Sequence, residues 1–299
     1  MNYTAWLHRD DIDGNAAQLG EFAVYLWRYG MNARQQGNTY STICGKLCAV
    51  RWYHRNHLGY DPGVNASHAI LLRGIRRFTD PVHKQMPLTV PLLRVIRSHL
   101  DLSRSRHQLL WGGLLLGYFF LLRRSEYLYI GGKHHEYVLR RGNLLFLDAA
   151  SNPVPPSQAR LVGLKLSGAK NNQFGREEVR FLHCSGDRSI CPVLAARWVV
   201  KAARVYGTRP DQPALSTGQG TGISSQEMSK LLKHAATLSG LDPSGFSTHS
   251  IRIGGATTLL NAGADRLVIK LLGRWLSNAF EDYPVLTADG TRDIARLMC

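Results

Sequence analysis

Apolar positions recur at helical spacing through the first third of the chain. Leu19, Phe22, Ala23 and Leu26 share one face of the stretch 18–29, and Gly30 stops it, which predicts a helix. Ile43, Leu47 and Val50 mark a second helix, capped by Ser41 or Thr42 and ending near Gly59. A third, capped by Asn65, turns Ile70, Leu71 and Ile75 inward and leaves Arg73, Arg76 and Arg77 outside. The polar stretch 79–87 holds Pro81 and Pro87 and reads as a linker. The expected organisation is a helical domain over 1–80, a linker at 81–88 and a second domain over 89–299.

The second domain mixes periods. Helices are expected at about 89–101 and 105–128. The latter contains the apolar run Leu109–Leu122, 14 residues long. A bilayer span needs roughly 20, so this run reads as a buried core helix and no membrane partner is expected. Short strands are expected at 142–147, 161–166 and 177–182, separated by Gly, Pro, Asn and Ser clusters. Pro192 opens a helix that Gly207 closes; Ser224 or Ser225 opens another, which Gly240 closes. Two more follow at 248–262 and 266–272. Helices, a small antiparallel sheet, then helices again define an α+β fold.

Composition narrows the partner. The 299 residues carry 37 Lys and Arg against 21 Asp and Glu, a formal charge of +16, and 44% are hydrophobic. That is a globular chain with a polyanion as its natural partner. Residues 51–100 hold eight basic side chains against two acidic ones, whereas residues 1–50 are balanced. Arg51, Arg55, Arg73 and Arg77, with Lys46 on the same expected helix as Arg51, are therefore the candidate contacts to such a polyanion. Five sparse cysteines point to a reducing compartment, which is the nucleus if the source is a eukaryote. The first residues lack the basic-then-apolar pattern of a secretory leader. Cys44, Cys48, His54 and His57 cannot converge on one tetrahedral point from a single helix. The two Cys read as small inward residues, and no metal is expected.

Four segments carry chemistry. His249 and Arg252 stand three apart near a helix start, where free N–H groups and a positive dipole suit a phosphate, and Gly254-Gly255 lets another element approach one turn later. Arg123 must leave the core directly after the apolar run, with Arg124 beside it and Glu126 close behind. Lys170 lies in a hairpin-like turn, with Lys165 as its competitor on the preceding strand. Gly273-Arg274-Trp275 is followed by Tyr283, eight residues beyond Trp275.

In this order the segments resemble the catalytic domain of the tyrosine recombinases, the phage-integrase and Cre-like enzymes. Arg123-x-Ser125-Glu126 matches the first arginine motif, with Glu126 in support, and Lys170 matches the hairpin lysine. His249-x-x-Arg252 matches the second box, Trp275 falls where the family has His or Trp, and Tyr283 falls at the nucleophile. The wording of the last two boxes is similar to the Crypton and DIRS-type mobile-element recombinases. The likeness covers about residues 86–285, and 15–80 resemble the helical core-binding domain more loosely.

The resemblance implies that Tyr283 attacks a DNA phosphodiester and forms a 3′-phosphotyrosine. Arg123 and Arg252 would clamp the charged phosphorane, and His249 would donate to it or assist proton removal. Lys170 would protonate the leaving 5′ oxygen, and Trp275 would add an N–H to phosphate. It also implies DNA as partner, a homo-tetramer on two duplexes and no cofactor. Two rivals share the sequence features: a type IB topoisomerase-like enzyme, and a domesticated protein that binds DNA without cutting it.

Overall fold

A computed structural model describes residues 11–32, 35–62, 66–79, 84–168, 178–218, 220–275 and 281. The chain divides into two compact units, residues 1–83 and 84–299.

The first unit is helical. Helix α1 (Ile12–Arg28) starts earlier than its apolar face suggests, because the Asp11 carboxylate accepts from the Gly14 N–H at 2.8 Å and caps it. Helix α2 (Tyr40–Tyr53) is capped by Thr39, not by Ser41 or Thr42, and continues as a π-helical turn, His54–Leu58, to a left-handed Gly59. Helix α3 spans Ala66–Phe78; its expected cap, Asn65, lies outside the described residues. Leu19, Ala23, Leu26, Ile43, Leu47 and Ile75 form the core. Ile70 corrects the expectation: it is 68% exposed, because at 100° per residue it sits on the opposite side of α3 from Ile75. Cys48 is likewise exposed rather than inward.

His54 and His68 are buried in this unit. Desolvation holds both below the ordinary histidine value of 6.5. The Arg51 charge adds to the effect at His68, while Asp61 opposes it at His54 and a backbone hydrogen bond to Leu19 opposes it at His68. Both therefore favour the neutral form when folded. Above pH 6.5 folded and unfolded chains are both neutral and stability is full; below it the unfolded chain takes up protons first and stability falls. Amide exchange should show α1–α3 opening more readily at about pH 5.5 than at about pH 7.5, after correction for intrinsic rates. Equal protection at both values would show that these histidines do not govern the unit.

The second unit is built on α5 (Ser105–Phe119), buried along most of its length. Gly112 lets α6 (Pro192–Val205) come close: a Cβ there would stand 2.7 Å from the Ala195 carbonyl oxygen. Helix α4 (Val90–Ser98) precedes α5, and the backbone before α4 is tied down where Met86 donates to Gly245 and Leu88 to Ser250. The antiparallel sheet has strand order β1 (Leu144–Leu147), β2 (Leu161–Leu166), β3 (Glu178–His183), with Leu144 opposite Leu164 and Lys165 opposite Val179. A two-stranded pair, β4 (Ser216–Gly218) and β5 (Thr221–Gly222), was not evident from the sequence pattern because it is too short to show alternation. Helices α7 (Ser225–Leu238), α8 (Thr248–Asn261) and α9 (Arg266–Gly273) complete the unit. This is the α+β architecture expected. Among the described residues no helix is long and apolar enough to cross a membrane.

The predicted helix at 105–128 is the main correction. The backbone turns left-handed at Leu121 (φ 50°), and the Leu122 N–H returns to the Gly117 carbonyl at 3.0 Å, ending the helix after Phe119. Phe120, Leu121 and Leu122 stay buried beyond that end. The apolar run thus reports burial, not helix length.

Candidate functional site

The left-handed turn at Leu121 delivers Arg123 in extended backbone, followed by a 3-10 turn, Arg124–Glu126. That turn folds the Glu126 carboxylate back: Oε2 accepts from the Arg123 backbone N–H at 2.7 Å, and Oε1 accepts from Arg123 Nη1 at 3.2 Å. Arg123 Nη2 donates to the Arg274 carbonyl at 3.0 Å. The Arg123 side chain is 19% exposed, so it is held yet reachable.

Arg252 arrives from α8. Gly254 and Gly255 let this helix press close: added Cβ atoms would stand 2.1 Å from the Leu88 carbonyl oxygen and 2.2 Å from that of Tyr118. Arg252 Nη1 donates to the Leu121 carbonyl and Nη2 to that of Gly273, each at 2.5 Å. The Trp275 ring covers its guanidinium at 4.0 Å. Trp275, expected as an N–H donor to phosphate, is thus placed with its ring face on Arg252. His249 sits in the first turn of α8, where Ser247 caps the helix and accepts from the His249 N–H at 3.2 Å. Desolvation, then the charges of Arg252 and Arg124, hold its pKa below the ordinary value, so it is neutral at pH 7 and able to accept a proton.

Arg123, His249 and Arg252 line one cleft of about 710 Å³. Arg124, Lys230 and Lys233 line it too, and none of its described lining residues is Asp or Glu. The charged side chains an entering anion meets among these are all positive. Lys230 and Lys233, with Gln226 and Ser229, come from α7 and were missed in the sequence. Their spacing does place them on one face, opposite buried Met228, Leu232 and Ala235, so an amphipathic reading of 225–238 would have found them. Lys165 lies on β2 and is not among the described residues lining the cleft. Lys170 and Tyr283 fall outside the described residues.

The DNA-contact candidates lie in the first unit. Lys46, Arg73 and Arg77 are exposed. Arg51 and Arg55 are committed to Asp61: Arg51 holds it through two hydrogen bonds of 2.9 and 2.7 Å, and Arg55 Nε donates at 2.6 Å. Among the described residues, no group of three or more His, Cys, Asp or Glu is placed to hold a metal ion.

No family model matches the sequence, and no curated protein matches it. Solved structures share its fold, a transposon integrase and a site-specific recombinase among them. The Tn1549 transposon integrase in complex with transposon right end DNA aligns with a TM-score of 0.56 at 15% identity, over 95% of this chain and 85% of that one. The XerH site-specific recombinase, in a post-cleavage complex with a palindromic difH substrate, aligns with a TM-score of 0.57 at 12% identity, over 95% of this chain and 70% of that one. At these identities the likeness is one of fold.

Proposed function

We propose that this chain is a site-specific DNA recombinase that cuts and rejoins strands through a 3′-phosphotyrosine on Tyr283. The observation that carries the reading is the convergence of Arg123, His249 and Arg252 on one positive cleft, from segments far apart in the chain. Two fixed guanidiniums suit the extra charge of a phosphorane. The Tyr283 oxygen attacks phosphorus, the bond to the 5′ oxygen breaks, and that oxygen takes a proton from Lys170. Neutral His249 accepts the tyrosine proton. The phosphotyrosine bond retains the energy for rejoining, so the reaction itself consumes no nucleotide.

Lys46, Arg73 and Arg77, exposed on the first unit, supply phosphate contacts. Four protomers act on two duplexes, since each duplex carries two cleavage points, and the enzyme mobilises or integrates a genetic element. Duplex DNA as substrate supports a nuclear site of action if the source is a eukaryote.

The test selects duplexes bound from a random pool and nicks them near each candidate cleavage point, so that a short strand diffuses away and traps the adduct. An SDS-resistant protein–DNA band with a free 5′ hydroxyl on the released strand is expected. Tight, selective binding without any band would make the chain a DNA-binding protein that does not cut. Bands and supercoil relaxation without strand exchange would make it topoisomerase-like.

A further inference from the structure

Arg274 breaks three local rules at one residue. It is a non-glycine residue in left-handed backbone, at φ 55° and ψ 47°, where a helix end favours glycine. Its side chain is only 7% exposed, a buried charge. Two of its donors, Nε and Nη1, are buried without a hydrogen-bond partner among the described residues. Such departures persist where function requires them.

What the turn achieves is visible in its carbonyls. Gly273 and Arg274 are consecutive, yet the Gly273 oxygen takes Arg252 Nη2 and the Arg274 oxygen takes Arg123 Nη2. Inside an α-helix consecutive carbonyls point the same way along the axis; the left-handed residue splays them toward two different guanidiniums. The Arg274 side chain then closes a second connection. Its Nη2 donates at 2.6 Å to Glu126 Oε2, the same oxygen that accepts from the Arg123 backbone N–H. Glu126 is 1% exposed and serves both arginines.

We propose that Arg274 is a positioning residue: its left-handed backbone and its bond to Glu126 fix the guanidinium of Arg123 relative to that of Arg252, so the end of α9 sets the phosphate clamp. This rests on the recombinase reading for its consequence, though not for its geometry. Arg274 acts through Arg123 and Glu126 and does not itself reach the phosphate.

The proposal is tested with Arg274→Gly in the full chain. Glycine suits the left-handed backbone, which offsets part of the cost of taking a partner from buried Glu126, so the protein should fold with reduced thermal stability. A structural and a positioning arginine share that loss; the state of the Arg123 side chain separates them. The Arg123 Nε–H signal, assigned by its loss in Arg123→Lys, should be sharp in the wild type and broadened in Arg274→Gly. On trapped substrates single-turnover cleavage should fall about 100-fold, the size of effect that small misplacement of a reacting group produces. The same loss should appear in Glu126→Gln, and the double variant should lose no more than either alone. Multiplying losses would make Arg274 an independent phosphate contact and overturn the proposal. So would an unchanged Arg123 signal in Arg274→Gly. If the wild type forms no adduct while the Arg123 signal broadens as expected, the positioning role stands and only the recombinase reading falls.

Discussion

Replacing Tyr283 with phenylalanine should remove every covalent protein–DNA adduct while leaving DNA affinity within about twofold of wild type. The asymmetry follows from what the hydroxyl does. Affinity for duplex DNA comes mainly from neutralised phosphates and released counterions. With a net charge of +16 and a cleft walled by Arg123, Arg124, Lys230, Lys233 and Arg252, one hydroxyl contributes little to it. Covalent chemistry depends on that single oxygen. The loss is expected to be complete because attack by water leaves no bond to the protein. Tyr127 is buried and its pKa is raised by desolvation, with the Glu126 charge adding to it, so it is no substitute nucleophile. Gel shift and SDS-resistant adducts on the same trapped substrate measure the two properties side by side. An adduct that persists, mapped to another tyrosine by peptide sequencing, would overturn the assignment.

Changing Arg252 should damage both fold and chemistry, and the two losses separate by the choice of replacement. Arg252→Ala strands the Leu121 and Gly273 carbonyls and uncovers the Trp275 ring. Buried acceptors left without a donor, together with the lost charge-assisted bonds, should cost about 2–5 kcal/mol. Arg252→Lys keeps the charge and reaches one carbonyl, so most of the stability should return. It cannot present a planar fork to two phosphate oxygens, however, and cleavage should stay at least about 100-fold below wild type. Chemical denaturation and single-turnover cleavage are the paired measurements. A stable Arg252→Lys protein that cuts at the wild-type rate would remove Arg252 from the clamp.

Much of the architecture was legible because it is written in local rules. Pro192 and Gly207 bracket α6, and Ser224, one of the two serines offered, caps α7. The three strands of the sheet fell within two residues of where the flanking Gly, Pro, Asn and Ser clusters placed them. The misses have physical causes of their own. Helix α5 was drawn too long because burial continues past Phe119 after the backbone has left the helix. Ile70 was placed inward because a bulky apolar residue was counted without its angle on α3. Arg51 and Arg55 share Asp61, a pairing that a charge count does not foretell.

The sequence by itself determined most of the elements and the α+β class, and it pointed to Arg123, Lys170, His249, Arg252 and Tyr283 as chemically distinctive side chains at telling spacings. Tertiary structure alone decided how the described ones are held. Arg252 is fixed by the carbonyls of Leu121 and Gly273, and Arg123 by that of Arg274. Every residue carries a carbonyl, so no pattern along the chain marks which ones will be left unpaired at an element's end. That is settled when α5 stops at a left-handed Leu121 and α9 at a left-handed Arg274. Trp275 shows the same division: its place in the motif was legible, but whether its ring or its N–H would meet a cation or an anion depended on α8 bringing Arg252 beneath it. Side-chain identity is a local property that sequence records; the direction of a backbone dipole in space belongs to the packed whole.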